Sequence, residues 1–159
     1  MAENQKMGIS QDELDERVAI VKRFRDVLEQ QRDKFREYLT VLEKQHEKIA
    51  SGDAESVEIH SKIQERIVVS IGELQKVVAP MEALYKRTHA SDSYIPEIQT
   101  ELLALKQKAG MQNALNQDLL RLRLKDVQKE MLSFKNPYRN ARSVYEKSSG
   151  TAKVIKIDI

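Results

Sequence analysis

The sequence predicts an all-α protein: a long antiparallel coiled-coil hairpin, a third helix and a flexible C-terminal tail. Three observations carry that prediction. Leu14, Val21, Leu28, Phe35, Leu42 and Ile49 recur at strict seven-residue intervals, the spacing of a coiled-coil seam. Gly52-Asp53 then separates this run from a second apolar repeat. The composition, 33% charged and 5% aromatic with neither Cys nor Trp, suits charged helices packed along narrow stripes.

The first helix opens on Ser10-Gln11-Asp12-Glu13. This is a capping box, in which the serine hydroxyl accepts from the backbone and the glutamate reaches back. The other seam positions are Arg17, Phe24, Gln31, Tyr38 and Gln45, with Ile20, Val27 and Val41 widening the stripe on one side. Lys48 suits a last helical turn, Gly52 the left-handed residue beyond it, and Asp53 the N-cap of a second helix.

In the second helix His60, Ile67, Leu74 and Met81 form one row, and Ser56, Ile63, Ser70, Val77 and Leu84 the other, with Ile71 and Val78 beside them. An antiparallel pairing sets Leu42 against Ile63, Phe35 against Ser70, Leu28 against Val77 and Val21 against Leu84. The same pairing sets Tyr38 against Ile67, Gln31 against Leu74 and Phe24 against Met81. All these pairs total 105, which places the fold-back between Gly52 and Asp53. Turn chemistry and apolar register thus agree. Pro80 removes one backbone bond, and because Met81 and Leu84 stay in phase it predicts a kink and not an end.

Pro96 marks the first turn of a third helix. Ile98, Leu102, Leu105 and Ala109 suit packing on the hairpin, whereas Gly110 and the polar residues Gln112, Asn113, Asn116 and Gln117 predict a loose point. Beyond it Leu120, Leu124, Val127, Met131 and Phe134 form one row, and Met111, Leu115, Leu119 and Leu122 another. A helix apolar nearly all round is either enclosed or short of a partner. Closure of a three-helix bundle or a homodimer would enclose it; an open surface would receive a partner's amphipathic helix. Asn136-Pro137 ends the helical pattern. The predicted organisation is therefore a flexible N-terminus at 1–9, one helical domain at 10–135 and a tail at 136–159.

Several functions find no support in the residues. No apolar leader occurs in MAENQKMGIS and no run is long enough to span a membrane. The expectation is a cytoplasmic chain with no membrane insertion. No phosphate loop, nucleophile elbow or HExxH motif is present, and the carboxylates alternate with Lys and Arg as on solvated helix faces. The chain is expected not to be an enzyme and to need no cofactor. His46 and His60 flank the turn, but without a third ligand they read as no metal site; Gln45 with His60 reads instead as a polar layer setting register. From Arg121 onward ten Lys/Arg face four Asp/Glu, so the end is basic. With few aromatics among those cations, no nucleic acid partner is expected.

The chain ends on Val144-Tyr145, Ser148-Ser149-Gly150-Thr151 and Lys153-Val154-Ile155-Lys156-Ile157-Asp158-Ile159. This ending, with the turn Ile49-Ala50-Ser51-Gly52-Asp53 and the stretch SKIQERIVV from Ser61, resembles the FlgN-type flagellar export chaperones of type III secretion. Glu146 follows Tyr145 where glycine is common in that family, and Pro80 is unusual for its second helix. The resemblance implies a cytoplasmic chaperone that holds hook-filament junction proteins and delivers them to the flagellar export gate, as a monomer or weak dimer. It implies a client site at Leu115, Leu119, Leu120, Leu122, Leu124, Val127 and Met131, and a gate contact at Tyr145 with Val144. A chaperone for the filament cap protein would look alike. A structural coiled-coil adaptor without an export role is the reading from another class. The alternating Ile155, Ile157 and Ile159 suit either a strand added to a sheet edge or a frayed end.

Overall fold

In a computed structural model the described residues, 8–134, form three helices: α1 (Gln11–Ser51), α2 (Ala54–Thr88) and α3 (Tyr94–Phe134). No strand occurs among them. The chain divides into two units, Met1–Leu120 and Arg121–Ile159. The first holds α1, α2 and α3 as far as Leu120. The described part of the second is the rest of α3.

Local chemistry sets both ends of the hairpin. Glu13 N donates to Ser10 Oγ at 3.2 Å and Ser10 N to Glu13 Oε2 at 3.3 Å, so the capping box is formed. Gly52 takes φ 77°, and its N–H and that of Asp53 bond back to Ile49 and Lys48 carbonyls. An L side chain is strained there, which is why glycine stands at the turn. Asp53 caps α2 by accepting from Ser56 N at 3.0 Å and Ser56 Oγ at 2.6 Å. These bonds, with Lys48 Nζ at 3.4 Å, hold its carboxyl below the usual range, because each favours the charged form.

The hairpin is antiparallel, but its register differs from the expectation by one residue. Gln31 Nε2 donates to Gln75 Oε1 at 2.7 Å and Gln45 Nε2 to Ser61 Oγ at 3.0 Å, pairs that total 106. The buried row of α2 runs through Ile67, Val78 and Met81, with Ile71, Leu74 and Tyr85 half-buried. Ile63, Val77 and Leu84, expected in the seam, are 37–40% exposed. The cause is the third helix. A seam facing two neighbours rotates α2 toward both, so Val78 displaces Val77 at the contact. Leu14, also expected in the seam, is exposed as well.

α3 runs parallel to α1. Tyr94 Oη donates to Glu29 at 2.7 Å, Arg32 and Arg36 pair with Glu101, and Asn116 reaches Leu42 and Gln45. The main core gathers Phe24, Val27, Leu28, Val78, Met81, Ile95, Ile98 and Leu102. The Phe24 and Tyr85 rings tilt against each other at 5.2 Å. Ile98, Leu102 and Ala109 are buried as the periodicity predicts.

Pro80 lies inside a continuous α2, and Gly110 inside a continuous α3. The loose point expected at 110–117 is instead a tie. Asn116 is only 3% exposed; its Nδ2 donates to Leu42 O at 2.8 Å and Gln45 Oε1 at 3.2 Å. Its Oδ1 accepts from Gln112 at 2.9 Å. A buried amide with its bonds made is an anchor, since leaving it unmade would cost more.

Candidate functional site

The client residues implied by the resemblance fall on the outer surface of α3, and each unit is taken in turn. In the first unit Leu115 and Leu120 are exposed, while Leu119 is half-buried. Met111, one turn before Leu115, is exposed as well. In the second unit Leu122, Leu124, Val127 and Met131 are all exposed, Leu124 by 53%. Phe134 is 80% exposed. Leu124, Val127, Met131 and Phe134 stand at spacings of three and four, so they share one helix face. Leu122 points away from that row. Leu132, exposed too, belongs to no predicted row; its only signal was its apolar side chain beside Met131.

Such a row has a specific chemistry. It offers no donor or acceptor, so it binds through apolar area at roughly 25 cal/mol per Å² removed from water. Isolated exposed leucines are ordinary, but four large apolar residues within eleven consecutive positions form a patch of the kind that marks interaction sites. Lys125, Asp126, Lys129 and Glu130 stand among them and supply a mixed-charge rim.

Tyr145 and Val144 lie outside the described residues, as do residues 1–7 and the isoleucine-rich tip.

The rings of His46 and His60 are each engaged in structure. His60 Nδ1–H donates to Ser56 O at 2.6 Å, and His46 Nδ1–H to Asn116 Oδ1 at 3.0 Å. Both acceptors are oxygens without a proton, which places each ring proton on Nδ1. The polar layer at Gln45 forms with Ser61, Gln64 and Asn116, not with His60 as expected. The rotation of α2 brings Gln64 inward and leaves the His60 ring on its own backbone. No group of three or more His, Cys, Asp or Glu side chains suited to a metal occurs among the described residues.

A second feature was not foreseen. Where α1 begins, beside the α2–α3 connection, an open cleft of about 900 Å³ is lined by Ile9, Leu14, Val18, Val21, Thr88, Ala90 and Tyr94. Arg25 spans its wall, with its guanidinium 4.4 Å from the Tyr94 ring centre and 3.7 Å from Asp92. The exposed Leu14 and Val18 are the sequence trace of this cleft, but the connection that closes it is irregular and leaves no periodic signal.

No helix among the described residues is long and apolar enough to cross a membrane. Fold and surface together define an all-α helical-hairpin protein with an apolar face on its third helix. A protein of Treponema pallidum (strain Nichols), described as uncharacterized, is 30% identical over 153 residues, covering 95% of this chain and 97% of that protein. The chain belongs to the family of that protein. No family model and no solved structure matches it.

Proposed function

We propose that this chain is a non-enzymatic cytoplasmic chaperone of the FlgN type, which shields a helical segment of a hook-filament junction protein and hands it to the flagellar export gate. The observation that carries this reading is the exposed apolar face of Leu124, Val127, Met131 and Phe134. An amphipathic client helix laid on that face would lose its own apolar stripe from water, and α3 would lose its patch, at no covalent cost. Charges at the rim would set orientation and encounter rate more than affinity. The family resemblance of the tail supports Tyr145, with Val144, as the contact for the gate: a tyrosine combines apolar area with one hydrogen-bonding end.

The test is calorimetric titration of a C-terminal helical peptide from a junction protein. Leu124→Asp should weaken binding by at least about tenfold, or about 1.4 kcal/mol, because the carboxylate would be buried against an apolar stripe. Tyr145→Ala should leave that affinity unchanged and lower binding to the gate's cytoplasmic domain. Wild-type protein that ignores junction-protein and cap-protein peptides alike would leave the adaptor reading in place.

A further inference from the structure

An antiparallel hairpin has two flanks beside its contact seam, and α3 occupies one. On α1, Asn116 of α3 bonds Leu42 and Gln45 in the seam itself, and the residues beside the seam that bond α3 or the connection before it are Arg25, Glu29, Arg32, Arg36 and His46. They lie on a single side of the seam. The opposite side of α1 carries Ile20, Val27, Lys34 and Val41 at seven-residue intervals. Across from them on α2 stand Leu84, Val77, Ser70 and Ile63, in pairs that total 104, close to the 106 of the bonded glutamines. A small hollow lined by Ile20, Leu84, Arg17 and Arg87 joins the two rows at one end. Ile63, Val77 and Leu84 remain exposed there, with Ile59 and Val69 exposed nearby on α2. Val27 is buried in the core, so the face is an apolar strip formed by half-buried Ile20 and Val41 with exposed Ile63, Val77 and Leu84, and Lys34 and Ser70 stand at its middle.

Beside this strip α1 carries a second seven-residue row: Glu16, Arg23, Gln30, Glu37 and Lys44, all exposed. Read backwards, the row is its own electrostatic complement. Glu16 falls on Lys44, Arg23 on Glu37, and Gln30 on itself. Laid alongside in the same direction, every charge would meet its like.

We propose that this flank is a homodimer interface, in which a second copy of the chain packs α1 on α1 and α2 on α2, both antiparallel, about a two-fold axis at residues 30–31 and 73–74. One axis serves both helices, because those two points are level in the hairpin. Ile20 then meets Val41 of the second copy, and Leu84 meets Ile63 of the second copy. Lys34, whose ammonium is held by Glu37 at 2.7 Å, lays its methylenes along the middle of the interface. Glu73 comes within a turn of Lys76 of the second copy. An isologous interface requires this kind of self-matching surface; an unrelated helix has no reason to match a reversed charge row. The proposal is independent of the chaperone reading, since it uses no residue of the α3 face.

Sedimentation equilibrium of the full chain at tens of micromolar should give twice the 18.4 kDa chain mass. Glu16→Lys sits at an exposed position and turns two attractive contacts per dimer into repulsive ones, weakening dimerisation about tenfold. Adding Lys44→Glu to it should restore wild-type dimerisation, which loss of folding could not mimic. Leu84→Asp should abolish the dimer while circular dichroism shows the helices intact. A monomeric wild type overturns the proposal. So does a double charge variant as weak as Glu16→Lys alone, or a dimer sensitive to Leu124→Asp in place of Leu84→Asp.

Discussion

Asp53 does three things at one position: it caps α2, pairs with Lys48 and shapes the turn. Its carboxyl titrates below its ordinary value of 3.8, so its contribution is fully present above that pH and is lost as pH falls through the lowered value. Asp53→Asn keeps an acceptor without the charge. Its melting temperature should therefore lie below wild type at neutral pH, with the gap closing as the acid limit is approached. Asn116 makes the opposite case, a residue whose role no local pattern declares. Asn116→Ala should cost about 2 kcal/mol in urea unfolding, because it strands the His46 N–H and removes the amide that bonds the Leu42 carbonyl. Ser10, Gly52 and Asp53 were legible because caps are chemistry among neighbours in the chain. Asn116 was misread as a weak point because its partners lie some seventy residues away.

At the scale of the element, helix boundaries followed from caps and glycine, and helix faces from periodicity. Pro80 and Gly110 tested how far tertiary packing overrides propensity, and both sit within unbroken helices. A Cβ added at Gly110 would meet nothing within 4 Å. Gly110→Ala should therefore raise stability by about 0.5–1 kcal/mol, through a less flexible unfolded chain and better helix propensity, read as a higher urea midpoint. Binding to the exposed face of α3 should be unaltered by that change. The heptad rows of α2 were legible as rows, but their orientation was not. A two-helix pairing places Ile63 and Val77 inside; the presence of α3 turns Val78 and Gln64 inward instead.

For the whole molecule, core and surface residues of similar chemistry should separate cleanly. Phe24, fully buried against Tyr85 and Met81's cluster, should lose about 3–5 kcal/mol as Phe24→Ala. Leu124→Asp should leave the melting temperature within a degree or two, since an exposed side chain contributes little to folding, while it weakens peptide binding. Thermal melts of both variants check this contrast. A client face, as proposed, would combine apolar chemistry with exposure, and Leu124 has both where Phe24 has only the first.

By itself the sequence determined the three helices, the turn at Gly52-Asp53, the antiparallel sense and the apolar excess of α3. These follow from interactions between residues a few positions apart, or from one period shared by two segments. The tertiary structure decided which flank of the hairpin α3 covers, and with it the one-residue rotation of α2, the bonded network at Gln45 and Asn116, and the cleft beside Tyr94. Each of those depends on where a third body sits against two others, and a linear period carries no information about that placement.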